Sequence, residues 1–349
     1  MNRAELEALI TQGEPILKAD LSGVDLRGAR LAGGIFQEVV FKGCQLGGAS
    51  FRESLLVECD LSDTQMDGVD LGHVVFSRNS LVGTDLSGST LVCGKFNECD
   101  LSNANLTECD LTLVTFVEGS LKGARLSGGT FDRSSFVNMD CTDMELVDSQ
   151  LFKTSFIESD LSGANLSGLS VNTSLFMKAR LDGHDFSKHS LELCQFTEAS
   201  LTGCNFSGAK LTQSNFKDAD LTRAILDGAQ VPSALFVGAD LTGASFRDSL
   251  LNQSVFVGAK APGATFSGAR MVQCNLQGVN CKGGDFSSAD LTYADFSHAD
   301  LSGADLTGAT LFRTVLHRVR DEGAAFSDRS RALGTDAEVA CAEDWYANH

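Results

Sequence analysis

The strongest constraint on this chain is a spacing of five. Between Gly284 and Leu311 a large apolar residue recurs at Phe286, Leu291, Phe296, Leu301, Leu306 and Leu311. A small residue stands two places before each, at Gly284, Ala289, Ala294, Ala299, Ala304 and Ala309. A helix repeats near 3.6 residues and a half-buried strand near 2, so a strict five requires a backbone that turns a corner once per repeat. The register runs from Leu21 to Leu316 without insertion or deletion, through 60 consecutive centres. Of these, 53 are Leu or Phe, and the others, Met66, Cys141, Val171, Val231, Ala261, Met271 and Cys281, are also apolar.

Sorting the centres on a period of 20 reveals a second order. The class that starts at Phe36 is Phe in 12 of its 15 members, whereas the class that starts at Leu21 has one, Phe41. Coils of three or five repeats would scramble this sorting, and coils of four preserve it. With repeats such as Ala299-Asp300-Leu301-Ser302-Gly303 and Ala304-Asp305-Leu306-Thr307-Gly308, the chain resembles the pentapeptide-repeat family, whose pattern is A(D/N)LXX. The resemblance implies an all-β fold, a right-handed quadrilateral β-helix with four pentapeptides per coil. Sixty steps then give about 15 coils and, at strand-like spacing, a narrow rod roughly 70 Å long. The expected organisation is an N-terminal capping helix over 1–15, an uninterrupted β-helix over 16–318 and a C-terminal helical cap over 319–349.

Asn2 is placed to cap the first helix with Glu5 three residues on, Leu6, Leu9 and Ile10 share a face, and Gly13 with Pro15 stops it. Such a cap covers an open coil edge that would otherwise invite association. Glu5, Glu7 and Glu14 interrupt the apolar run, which argues against a signal peptide, and no run approaches membrane-spanning length. At the fifth repeat position, the classes starting at Gly23 and Gly28 are Gly in 11 and 10 of 15 coils, against one and three for those starting at Gly33 and Glu38. Two corners are therefore expected to be tighter than the others.

The Phe side carries apolar residues at outward positions beside the centres: Ile35, Leu55, Val57, Val75, Val117, Val137, Ile157, Leu175, Met177, Leu235, Val237, Val255 and Val257. β-branched residues suit an extended face, but a contiguous apolar strip in a water-soluble chain also marks a partner site. Beside it runs an acidic row, Glu38, Glu58, Glu98, Glu118, Glu158, Glu198 and Asp218. A second row precedes the Leu21 class: Asp20, Asp60, Asp100, Asp140, Asp160, Asp220, Asp240 and Asp300. With a net charge of −19 and no basic stripe, direct nucleic-acid binding is disfavoured. The carboxylates either solubilise the surface or mimic a DNA duplex, as the resemblance to the more distant gyrase-protecting members implies. The quinolone-resistance members among them carry projecting loops for which this register leaves no room, whereas a loop-free relative of the mycobacterial type could still mimic DNA.

No catalytic constellation, cofactor motif or metal set emerges. His184 and His189 occupy inward slots near Cys194 and Cys204, but on different walls, so a locally distorted coil near the oversized Leu169 is expected instead of a metal centre. Asn79 is a polar inward residue that neighbouring backbone groups can satisfy. Of the 11 Cys, seven lie at inward slots (Cys44, Cys59, Cys99, Cys109, Cys194, Cys204 and Cys274), and Cys141 and Cys281 are centres. None of these nine is positioned to pair with another, which suits a reducing compartment, the bacterial cytoplasm.

After Leu316 the pattern fails, with Asp321 at the next centre and Phe326 as a last echo. Thr335 or Asp336 can cap a helix running to Trp345 and Tyr346, where Trp345 either plugs the final coil or forms a homodimer contact. The chain is thus expected to be a non-enzymatic scaffold for protein partners. Its Ala4-Glu5-Leu6-Glu7-Ala8-Leu9 opening and Gly13-Glu14 resemble modules associated with bacterial type VI secretion, which implies an adaptor role.

Overall fold

The computed structural model describes residues 1–347. The chain forms two compact units, Met1–Arg180 and Leu181–His349. Each is a nearly all-β solenoid of parallel coils with one short helix, α1 (Arg3–Thr11) in the first and α2 (Ala337–Ala347) in the second. The pairing offset is 20 residues throughout the repeats, as in Phe76 with Phe96 and Asp240 with Lys260, so four pentapeptides complete each coil. Stacking extends past the regular centres at both ends, from Ile16 against Phe36 to Leu306 against Phe326.

The strands of the first unit are β1 (Ile16–Leu17), β2 (Ile35–Gln37), β3 (Leu55–Val57), β4 (Val75–Ser77), β5 (Lys95–Asn97), β6 (Thr115–Ser120), β7 (Thr130–Asp132), β8 (Ser135–Asp140), β9 (Gln150–Phe152), β10 (Ser155–Ile157) and β11 (Ser170–Asn172). The second unit has two, β12 (Asp305–Leu306) and β13 (Ala325–Phe326), and otherwise single bridges between turns. Strands β1 to β6, β8 and β10 form one parallel sheet on the Phe side, and β7, β9 and β11 form another.

The centres fill both cores. Phe76, Phe96, Phe116, Phe136 and Phe156 stack with ring centroids 4.6 to 5.1 Å apart. In the second unit two Phe columns coexist: Phe216, Phe236 and Phe256 stack, as do Phe246, Phe266 and Phe286, and the columns meet edge to face. Each buried ring contributes about 1.5–3 kcal/mol by leaving water.

All four corners carry positive φ at the fifth position, which corrects the expectation that two alone are tight. Glu38 (53°), His73 (59°) and Leu113 (58°) adopt the left-handed region alongside Gly23 (67°) and Gly28 (62°). Coil stacking on both sides outweighs the roughly 1–2 kcal/mol that an L-residue loses there. What does differ between corners is the turn hydrogen bond. Most corners close through the N–H three residues past the centre, as in Val24 N–H to Leu21 C=O at 3.0 Å. The corners after Phe36 through Phe156 on the Phe side are extended instead, and at two of them a side chain from the next rung takes over both backbone groups. Asn79 donates to the Leu56 carbonyl (2.9 Å) and accepts from the Cys59 N–H (2.8 Å), while Ser159 accepts from the Met139 N–H at 3.2 Å. From Phe176 onward this corner closes too, with Ala179 and Ala199 donating to Phe176 and Phe196.

Inward Ser, Thr and Cys side chains stitch the coils together by donating to the carbonyl of a centre 23 residues earlier: Cys44 to Leu21, Thr84 to Leu61, Ser134 to Leu111, Cys204 to Leu181 and Cys274 to Leu251. Burial pushes the thiols of Cys109, Cys204 and Cys274 up to about 12, so they remain protonated donors at neutral pH. All 11 Cys are free.

At the start, Asn2 and Glu5 form a reciprocal capping box on α1, and Leu6 is fully buried. Arg3 donates to the Arg27 and Gly28 carbonyls, and Glu7 accepts from the Arg30 N–H, so α1 satisfies polar backbone groups of the first coil. At the other end Asp336 caps α2 through the N–H groups of Glu338 and Val339. Trp345 does not plug a coil: it is 61% exposed and Tyr346 82%. The hydrogen bonds between Leu333 and the last rung, to Thr314 and from Leu316, occupy that edge instead.

Candidate interaction surface

On the Phe-side sheet of the first unit, residues on either side of each buried centre point outward and form two columns perpendicular to the strands. The first column reads Ile35, Leu55, Val75, then turns polar at Lys95, Thr115, Ser135 and Ser155 before Leu175. The second carries Val57 between Gln37 and Ser77, and becomes apolar at Val117, Val137 and Ile157. Met177 follows, its carbonyl accepting from the Glu158 N–H at 2.9 Å. The expected strip is therefore two patches in this unit, one around Ile35, Leu55, Val57 and Val75 and a longer one from Val117 to Met177. In the second unit, Leu235 and Val255 pair on successive rungs, with Val237 and Val257 beside them, and polar Asn215 and Asn275 bound them.

The two acidic rows have different roles. In the row from Asp20 to Asp300, each of the eight carboxylates accepts from the backbone N–H two residues on, in Ser22, Ser62, Ser102, Thr142, Ser162, Thr222, Thr242 and Ser302. These Asp are turn caps. The Ser22 hydroxyl and then its N–H hold Asp20 below the usual carboxylate range, and Ser302 does the same for Asp300. The Glu row is interrupted by cations on the same column: Lys18 lies 3.6 Å from Glu38, Arg78 2.8 Å from Glu58 and Lys178 2.9 Å from Glu158. In the second unit Lys217 pairs with Asp218 at 2.6 Å, and Gly238, Gly258 and Gly278 end the row. Glu98 and Glu118 stand on adjacent rungs with no ion pair among the described residues.

His184 and His189 are half-buried and flank the Phe186 ring, with centroids 5.9 and 6.1 Å away, so their imidazoles pack on an aromatic. A histidine pair not anticipated from the repeat lies near α2. His298, His317 and Glu343 bring ligand-type atoms within 4.8 Å of one another beside a cleft lined by Gln277, Val315, Leu333 and Val339. A divalent cation fits this set poorly. The Asp336 N–H donates to His317 Nδ1 at 3.1 Å, which leaves the proton on Nε2, facing Glu343 at 3.2 Å. A metal-bound imidazole needs the reverse, with Nδ1–H donating outward. Arg318 Nε also approaches Glu343 to 3.0 Å and Arg318 reaches Asp344 at 2.6 Å, so the cluster clasps α2 to the last coils. Hydrogen bonding from His317 holds the Glu343 carboxyl below its ordinary range. The signal was faint because His317 and Arg318 lie at the failing edge of the register and their partners lie in α2.

Two further exposed aromatics lie off this strip: Phe152 on β9, with Lys153 5.0 Å over its ring, and Tyr293 in the second unit, with Arg313 5.9 Å from its ring. Among the described residues no helix is long and apolar enough to cross a membrane.

Family models described as pentapeptide repeats match residues 19–56, 174–213, 190–228, 199–238, 239–278 and 269–308, and one described as a pentapeptide repeat region matches 49–126. The matched models describe a repeat and no catalytic activity. No curated protein sequence matches the chain significantly. Among solved structures, HetL, a pentapeptide-repeat protein involved in heterocyst differentiation regulation in Nostoc sp. strain PCC 7120, is 25% identical over 67% of this chain and 92% of its own, with a TM-score of 0.21. A trypsin-treated form of QnrB1, a plasmid-mediated fluoroquinolone resistance protein, is 22% identical over 64% and 95%, with a TM-score of 0.24. Rfr23 from Cyanothece 51142 is 23% identical over 39% and 91%, with a TM-score of 0.15. Likenesses at these scores say nothing of what this chain binds. With more than half of its length matched by the repeat models, the chain belongs to the pentapeptide-repeat family.

Proposed function

We propose that this protein is a non-enzymatic scaffold that binds a protein partner through the Phe side of its first unit. The observation that carries this reading is the column Val117, Val137, Ile157 and Met177, four apolar side chains on successive rungs, pointing away from the core. Strand propensity accounts for the three β-branched members but not for Met177, which sits in a closed corner. Val117, Val137 and Ile157 are half-buried and Met177 is exposed, and contiguous apolar area at a surface marks interaction sites in soluble proteins. The test is affinity capture with the wild type and with Val117→Glu plus Ile157→Glu. Loss of partners from the double variant supports the reading, and unchanged partners sink it.

The 11 free Cys support residence in a reducing compartment such as the bacterial cytoplasm. The resemblance of the opening from Ala4 to Leu9 to modules associated with bacterial type VI secretion supports an adaptor role in a secretion or effector pathway. Exposed Trp345 and Tyr346 on α2 support a homodimer contact at that end, which sedimentation before and after removal of α2 would reveal. A second reading, duplex mimicry toward DNA gyrase or another DNA-binding protein, draws on Glu98 and Glu118 standing unpaired on adjacent rungs. Lys18, Arg78 and Lys178 in the same column weaken it, since a phosphate backbone has no interleaved cations. A gyrase supercoiling assay with no effect at high protein excess would exclude it.

A further inference from the structure

Resting on the interaction reading above, we infer that the partner element is an amphipathic helix with a basic flank, lying along the coil axis over Val117, Val137, Ile157 and Met177. Three observations converge on it. Backbone recognition is ruled out on this face because neighbouring rungs consume its polar groups: the Glu98 N–H donates to Val117 C=O at 2.8 Å and the Glu158 N–H to Met177 C=O at 2.9 Å. An added strand therefore has nothing to pair with, and side chains must do the binding.

The spacing along the column then favours a helix. Rungs recur every ~4.8 Å, and one face of a helix recurs every ~5.4 Å, so over four rungs the two drift by only about 2 Å. An apolar stripe at helical spacing can meet each of the four side chains in turn. Small Thr115, Ser135 and Ser155 border the column on one side and leave the helix room to approach.

Charge decides the third property. The opposite border is the Glu row, and within it Glu98 and Glu118 have no ion pair among the described residues, while Asn138 on the next rung is neutral. Arg78 precedes Glu98 and Lys178 follows Glu158 in that row, each paired with a neighbouring Glu, so Glu118 on the Val117 rung and Glu98 on the rung before it are the free acidic segment, and the complement is a short run of Lys or Arg along one edge of the stripe.

The probes are three synthetic helical peptides of about 18 residues, or five turns, sharing one Leu stripe and carrying Lys, Gln or Glu along its flank. Each is titrated by fluorescence anisotropy against the full chain in about 0.1 M salt. The Lys peptide is expected to bind at least about tenfold tighter than the Gln peptide, and the Glu peptide weakest. Glu98→Lys with Glu118→Lys should invert the order of the Lys and Glu peptides. Val137→Ser with Ile157→Ser should weaken the Lys peptide about tenfold while keeping the order. Circular dichroism melts confirm that each variant is folded. Absence of binding by all three peptides, or an order that charge reversal leaves unchanged, overturns the inference. If captured partners vanish with Val117→Glu plus Ile157→Glu but persist with the two Glu→Lys changes, the interaction reading stands and the basic helix falls.

Discussion

The first and second units share one repeat yet differ on the same side. Up to Phe156 the Phe-side corner is extended and builds the eight-stranded sheet; in the second unit the equivalent corner is a closed turn. Glycine at the corner does not explain this, because Glu198 and Asp218 sit in closed corners. The inward slot one step past the corner changes instead: Val39, Cys59, Asn79, Cys99 and Met139 in the first unit give way to Ala199, Ala219, Ala239 and Ala259 in the second. The slot residue alone does not decide closure, because the Val279 N–H reaches the Leu276 carbonyl at 3.2 Å; in the first unit Asn79 and Ser159 supply side-chain hydrogen bonds to the Leu56 and Phe136 carbonyls instead. The difference matters for function, since the extended corner is where the apolar columns run longest.

The largest expected effect tests that slot directly. Gly119 stands there in β6, and a Cβ would collide with the Cys99 backbone carbonyl, which cannot move cheaply. Gly119→Ala should destabilise by about 3 kcal/mol or more in chemical denaturation. Ala239→Gly, the reverse exchange in the second unit, should cost only about 1 kcal/mol. Equal, small effects would mean that the two corners do not differ in packing.

Asn79→Ala comes next. It strands the Leu56 carbonyl and the Cys59 N–H in an open corner, at a cost of about 1–3 kcal/mol. Ser214→Ala in the second unit removes only a donor to Leu191 and should cost less in the same assay.

Acid affects both units alike. The caps at Asp20 and Asp300 have folded-state pKa values below the unfolded carboxylate value of about 3.9, so their contribution is complete above that value and is lost as pH falls through the lower folded one. Melting temperature should be level from neutral pH to about 5 and fall below about 4; a level profile down to pH 2 would show that the caps contribute nothing. The smallest effect is expected at the exposed Glu58–Arg78 pair, where Glu58→Gln should change stability by less than about 1 kcal/mol.

Much of this fold was legible in the residues. The five-residue register, the 20-residue sorting of Phe36 through Phe296, and the Asn2–Glu5 cap all follow from local pattern. The rest depends on where a side chain finds its partner on the next coil. A row of Asp looks like surface charge until Ser22 and Ser62 are seen to donate to it. Cys44 and Cys204 look like small apolar fillers until their Sγ atoms meet the Leu21 and Leu181 carbonyls. Trp345, the only tryptophan, resembled a plug, but Leu333 reaches the last rung first. Among the outward apolar residues, the list was readable and its division into patches was not, because Lys95, Ser77 and Asn97 interrupt the columns only when adjacent coils are set in register.

The most direct test of the account pairs the two units in one capture experiment: wild type, Val117→Glu with Ile157→Glu in the first unit, and Val237→Glu with Val257→Glu in the second. The account predicts that partners are lost from the first-unit variant and retained by the second-unit variant, with both folded. Retention by the first-unit variant, or loss from the second-unit variant alone, would contradict it.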